Sequence, residues 1–154
     1  MPFPHSGTRA ACTAADGNAI WLQLEDSQFT TNGRFSMKAL QLVEVGKPLE
    51  LNEIDVPGIG PADVLVKVRA AGICHSDVHY WLGKSATGPL PQTLGHEVAG
   101  TVEARGDQVD TVAAGDRVCL HYLLSCGECD FCRRGHEQFC RRGSMIGKYR
   151  DGGY

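Results

Sequence analysis

The apolar positions of this chain are unevenly distributed. Residues 1–36 mix Gly, Ser, Thr, Ala and Asn with few large side chains and keep no period of 2 or 3.6, so they read as a loose, unstructured extension. At Met37 the character changes. Met37 to Val43 is largely apolar, Leu49 to Val56 alternates in part, and Val64, Leu65, Val66 and Val68 form a β-branched run, each the signature of a strand. The folded unit is therefore expected over 37–154. A short helix is expected around His75 to Leu82, then a turn-rich passage from Gly83 to Pro91, then strands at Val98 to Ala104 and Arg117 to Tyr122. Gly95, Gly100, Gly106 and Gly115 punctuate them. Many short strands, glycine turns and little helix predict a mainly β, barrel-like or sandwich-like domain.

Composition narrows the function classes. The chain has 154 residues, 42% hydrophobic and 21% charged, which suits one globular domain and excludes wholesale disorder. Fifteen Lys and Arg against 18 Asp and Glu leave a net charge of −3, a poor match to broad binding of nucleic acid or anionic lipid. No apolar run approaches the roughly 20 residues of a membrane span. The N-terminal stretch lacks a basic segment followed by an apolar one, and its Asp16, Glu25 and Asp26 do not suit a transit peptide, so a reducing cytoplasm is expected.

Seven cysteines could mean disulfides or metal, and their placement separates the two. Cys12, Cys74 and Cys119 are scattered, whereas Cys126, Cys129, Cys132 and Cys140 read C-x2-C-x2-C-x7-C with glycines between them. Four thiolates so spaced predict a closed tetrahedral zinc site that holds a lobe together and does no chemistry. A ferredoxin-type cluster would carry three residues before the last cysteine and a proline after it. Here there are seven, and Arg141 follows. Four thiolates around a divalent ion leave a net charge near −2, which Arg133, Arg134, Arg141 and Arg142 could ease, or those arginines could simply be solvated.

A second group is denser in chemistry. Cys74, His75, Ser76, Asp77 and His79 fall within six positions, and His96 and Glu97 follow about twenty residues later. Taken singly, Cys74 is a small buried hydrophobe, His79 a polar helix residue and His96 a satisfied core histidine. Together, beside a thiolate lobe, they point to a second metal site.

The runs Gly72-Ile73-Cys74-His75-Ser76-Asp77-Val78-His79 and Gly95-His96-Glu97, the G-P-x-x-V-L-V-x-V stretch from Gly60 to Val68, the turn Gly115-Asp116-Arg117-Val118 and the cysteine lobe resemble the zinc-dependent medium-chain alcohol dehydrogenases over about Met37 to Tyr154. The resemblance implies a GroES-like catalytic domain in which Cys74 and His96 ligate a catalytic zinc beside the structural one. It implies a proton relay through Ser76 and His79, a carboxylate at Asp77 that orients His96, and a zinc-proximal carboxylate at Glu97. More weakly, it implies a cofactor-phosphate contact at His75 and a substrate-pocket aromatic at Trp81. It further implies NAD or NADP as cofactor, a small-molecule alcohol or carbonyl as substrate, and a homo-oligomeric full-length enzyme.

The likeness is incomplete in two respects. No G-x-G-x-x-G nucleotide-binding unit is present; Gly58 to Asp63 imitates it but has Asp63 where the third glycine belongs and reads as a turn. The family's third protein ligand to the catalytic zinc lies beyond the lobe, leaving Glu97 to complete the set. The expectation is thus the first part of a longer enzyme, inactive alone. The competing reading is a non-enzymatic, zinc-stabilised assembly or binding module. A zinc deaminase fits poorly, because Glu97 directly follows His96 and Ser125 precedes Cys126 where that class has H-x-E and a proline.

Overall fold

The computed structural model describes residues 35–154 together with the strand segments 20–23 and 28–29. In chain order the elements are β1 (Ile20–Gln23), β2 (Gln28–Phe29), β3 (Phe35–Leu42), β4 (Glu50–Asp55), β5 (Val64–Gly72), α1 (His75–Trp81), β6 (Gln92–Thr93), β7 (Glu97–Arg105), β8 (Arg117–Cys119), β9 (Leu123–Leu124) and β10 (Ser144–Met145). Among the described residues α1 is the one α-helix, so the expectation of a mainly β domain with little helix holds.

One sheet runs β1-β5-β7-β8. Its centre is the long antiparallel pair β5 and β7, which places Val66 opposite Val102 and Gly72 opposite Glu97. Val64, Val66, Val68, Val98, Val102, Val109 and Val118 form the buried cluster of this sheet. Valine suits the positions because a β-branched side chain is already restricted on a pleated surface and loses little further freedom on burial. The second sheet pairs β2, β3 and β4, with β6 against the end of β3. Here Leu42, Tyr80 and Leu94 bury a smaller cluster that joins β3, α1 and the segment before β7. That cluster positions the chemistry, because Leu94 lies two residues before His96 and Tyr80 lies on the helix that follows Cys74.

The extension expected over 1–36 is in part sheet. Ile20–Gln23 pairs in parallel with Val64–Lys67, and Gln28–Phe29 pairs with the start of β3. An open edge of β5 would expose a row of unpaired N–H and C=O groups, and the four residues of β1 cover its first part, Val64–Lys67. A segment that short shows no readable period. The rest of 1–34 lies outside the described residues. The ordered strand also begins two residues before Met37, because Phe35 accepts a hydrogen bond from the Val56 amide at 2.8 Å and Ser36 sits opposite Asp55. The strand expected from Arg117 to Tyr122 stops at Cys119, where the chain turns toward the cysteine lobe. Gly58 to Asp63 is a turn, closed by the Asp63 amide on the Gly60 carbonyl (3.1 Å) and the Gly60 amide on Asp63 Oδ2 (2.7 Å).

Candidate metal centres

Cys126, Cys129, Cys132 and Cys140 converge, with all four sulfurs within 4.8 Å of one another. Cys129 Sγ is 3.5 Å and Cys126 Sγ 4.0 Å from Cys132 Sγ. Tetrahedral ligands at about 2.3 Å from a zinc ion lie about 3.8 Å apart, so the donor set fits that ion. The lobe is built from little else: two short 3-10 turns at Cys132–Arg134 and Glu137–Phe139, and the two-residue ladder of β9 with β10.

The electrostatics of the lobe divide its thiols. Burial pushes Cys126 up, but hydrogen bonds from the Cys129 amide and the Arg142 guanidinium outweigh it and bring the thiol down to about 6. Amides of Cys132 and Arg141 hold Cys129 below the ordinary thiol range. Burial, reinforced by the neighbouring Cys129 and Cys140, drives Cys132 up to about 12. Arg141 is committed to a two-pronged pair with Asp130 at 3.0 and 3.1 Å, and Arg142 to Glu128. Arg142 thus serves both the sulfur charge and a surface pair, whereas Arg133 and Arg134 are exposed.

The second centre forms where β5 ends, α1 begins and β7 starts. Donor atoms of Cys74, His96 and Glu97 lie within 4.8 Å of one another. Cys74 is the N-cap of α1, with extended backbone (φ −93°, ψ 149°), and Asp77 in the first turn accepts its amide proton through Oδ2 at 3.1 Å. Ser76 Oγ is 3.2 Å from Cys74 Sγ and 3.2 Å from His96 Nε2, so it touches two donors at once. Asp77 Oδ1 faces His96 Nδ1 at 3.4 Å, too long for a well-formed hydrogen bond. Both atoms are buried and have no hydrogen-bond partner, so each is aimed at the other.

Two glycines shape this centre. Gly72 stands opposite Glu97, and a Cβ there would come within 2.4 Å of Glu97 Oε2, so the carboxylate lies across a place only glycine leaves open. Gly95 has φ +92°, a conformation side chains disfavour, and a Cβ there would meet the Tyr154 ring at 2.4 Å. The Tyr154 hydroxyl in turn reaches Asp77 Oδ2 at 2.8 Å and the Gly72 carbonyl at 2.9 Å. Burial, then the Asp77 carboxylate, pushes its pKa above the ordinary phenol range, so it stays a neutral donor.

Residues 60–154 match the profile of the alcohol dehydrogenase GroES-like domain. The chain belongs to that family. The alcohol dehydrogenase GroES-like domain seen here is 44% identical over 126 residues to an NAD-dependent alcohol dehydrogenase of Saccharolobus solfataricus, a match covering 77% of this chain and 36% of the relative. It superposes on a thermostable alcohol dehydrogenase of Pyrobaculum aerophilum with TM-score 0.73 at 36% identity, covering 77% of this chain and 37% of that one. A cobalt- and zinc-bound structure of a thermostable alcohol dehydrogenase from the same organism gives TM-score 0.72 at 35% identity, with the same coverage. The chain therefore spans about a third of the length of these relatives.

Of the residues singled out in the sequence, Cys74, Ser76, Asp77, His96 and Glu97 are brought together. His75 and His79 sit on the exposed face of α1 with their rings edge-on, centroids 5.0 Å apart. Trp81 lines an apolar cavity of about 630 Å³ that it shares with Ile73, Val78 and Leu94 and that reaches Asp77 and Tyr154. Sequence reasoning missed Tyr154, Gly72 and Gly95 as site residues. Tyr154 was visible within an Asp-Gly-Gly-Tyr run, but nothing local marks its approach to Asp77 across 77 positions.

Proposed function

We propose that this domain is the metal-bearing catalytic part of an NAD- or NADP-dependent zinc alcohol dehydrogenase, which oxidises a primary or secondary alcohol to an aldehyde or ketone. One observation carries the reading: a thiol at the start of α1 meets an imidazole and a carboxylate at the start of β7 within 4.8 Å, next to a hydroxyl that touches two of them. In this reading Cys74, His96 and Glu97 hold the catalytic zinc, which supplies Lewis acidity that eases loss of the alcohol proton near neutral pH. Ser76 accepts that proton at Oγ as its own hydroxyl proton passes on toward His79, which is exposed on the same helix and releases a proton to solvent. His75 meets the cofactor phosphate, and Asp77 sets which imidazole nitrogen faces the metal. Cys126, Cys129, Cys132 and Cys140 hold the structural zinc. Trp81 and its apolar cavity offer the hydrocarbon end of a substrate a place to bind. The setting is cytoplasmic and the full-length enzyme a homo-oligomer, with no nucleic acid or membrane partner. Among the described residues no helix is long and apolar enough to cross a membrane.

The test is metal stoichiometry and response. The purified chain is expected to bind two zinc or cobalt ions, and adding a small thiol or alcohol should perturb the cobalt bands of one site only. Cys74→Ser with His96→Ala should remove that site. A single tightly held ion, unresponsive to added ligand, would instead support the non-enzymatic, zinc-stabilised module.

A further inference from the structure

We propose that Tyr154 is a positioning residue of the open metal site: its hydroxyl holds the Asp77 carboxylate, and through it both the Cys74 backbone and the His96 ring. The inference rests on the reading of Cys74, His96 and Glu97 as metal ligands. Asp77 has two oxygens and three neighbours to serve. Oδ2 accepts from the Cys74 amide at 3.1 Å and from the Tyr154 hydroxyl at 2.8 Å, which leaves Oδ1 facing His96 Nδ1 at 3.4 Å. Two donors on one oxygen pin the plane of the carboxylate, and that plane decides where Oδ1 points. A buried carboxylate oxygen facing Nδ1, even beyond hydrogen-bond length, favours by its charge the imidazole tautomer with its proton there and leaves the Nε2 lone pair free. Nε2 is the nitrogen on the Cys74 side, since Ser76 Oγ touches both it and Cys74 Sγ.

Tyr154 is itself held from three directions. Its amide donates to the Leu94 carbonyl at 3.1 Å, its carbonyl accepts from the Leu40 amide at 3.0 Å, and its ring lies on the bare α-carbon of Gly95. The hydroxyl has one proton and two acceptors, the Gly72 carbonyl at 2.9 Å and Asp77 Oδ2, and the charged oxygen is the stronger of the two. Tyr154 therefore ties the ends of β5 and β3 and the His96 segment to a single carboxylate.

Cobalt titration of the 154-residue chain and of Tyr154→Phe, Asp77→Asn and the double variant tests this. The four-cysteine lobe serves as an internal control for metal loading, and amide protection of β5 and β7 as the control for folding. Tyr154→Phe keeps the ring and is expected to weaken cobalt binding at the open site by roughly 5- to 10-fold, against roughly 10- to 100-fold for Asp77→Asn, with the lobe untouched in both. The double variant should match Asp77→Asn alone, because Tyr154 acts through that carboxylate. In the metal-free chain, nitrogen chemical shifts of His96 should report one tautomer for the wild type and a mixture for Tyr154→Phe. Wild-type open-site affinity in Tyr154→Phe, a loss that adds in full to that of Asp77→Asn, or loss of both sites together would each overturn the proposal. A wild-type chain that takes up one cobalt only would remove the metal-ligand reading and this proposal with it, whereas two cobalt ions and an unaffected Tyr154→Phe remove this proposal alone.

Discussion

The ring of Tyr154 rests directly on the α-carbon of Gly95, the residue before His96, at a position where a Cβ would intrude to 2.4 Å. The contact couples packing to the metal site. Gly95→Ala must accept both an unfavourable φ of +92° and a clash with a ring whose backbone is hydrogen-bonded on both sides. A loss of ~3 kcal/mol of stability is expected, together with weaker metal binding at the open site. Chemical denaturation and cobalt titration check the two halves separately. An unchanged unfolding midpoint would show that the Tyr154 ring yields freely.

Gly72 and Glu97 make the corresponding pair at the end of β5. A methyl group at Gly72 collides with the Glu97 carboxylate, the far end of a flexible side chain, and comes within 3.1 Å of Glu97 Cβ, so β7 need give by only a few tenths of an ångström. Gly72→Ala is expected to leave folding nearly intact while lowering open-site metal affinity by roughly 10-fold. Full retention of that affinity would remove Glu97 from the ligand set.

The four-cysteine lobe should bind zinc more tightly as pH rises. Thiolates bind metal and protons compete. At neutral pH Cys126, at about 6, is largely ionised, while Cys132, at about 12, still holds its proton and must release it. Lobe affinity should therefore rise by at least tenfold per pH unit above pH ~6, because Cys132 must release its proton, and more steeply below it, where Cys126 is protonated too. Arg142→Gln removes a group that lowers Cys126, so the steep region should move to higher pH. Competition against a chelator between about pH 5 and pH 8 reads both effects.

Stripping the lobe of metal should loosen residues 125–143 and little else. Its secondary structure is two short 3-10 turns, and the valine cluster of β5, β7 and β8 lies elsewhere. Hydrogen exchange after chelation is expected to quicken in this segment while β5 and β7 amides stay protected. Uniform loss of protection would mean that the lobe supports the whole domain.

The 154-residue chain by itself is expected to yield no NADH from alcohol and NAD, because its sequence contains no glycine-rich nucleotide-binding turn that leads from a strand into a helix. Absorbance at the NADH band with metal-loaded protein checks this, and steady NADH production would require a cofactor site of another kind.

Much of this protein could be read along the chain because the relevant physics is local. The β-branched run at Val64, Val66 and Val68 marked β5, and the strand signals from Val98 to Ala104 marked β7. The two-residue gaps between Cys126, Cys129 and Cys132 bring their sulfurs together with little help from distant residues. Cys74, Ser76 and Asp77 share the start of one helix, so their grouping survives in the linear order. The segment Ile20–Gln23 was missed for the opposite reason: its apolar run, Ile20 to Leu22, is too short to mark a strand by itself, and β5 offers it an unpaired edge.

The amino-acid order alone determined the donor types, the split of the cysteines into a cluster and scattered singles, and the β character of the domain, since each depends on near neighbours. Only the tertiary structure decided that Asp77 turns one oxygen to His96 and the other to Cys74 and Tyr154, and that Gly72 and Gly95 leave room for Glu97 and the Tyr154 ring. Apart from the local contact with Cys74, those relationships join positions from 19 to 77 residues apart. They depend on which strand edges pair and which side chains then compete for the same space, and that outcome is settled when the whole chain packs.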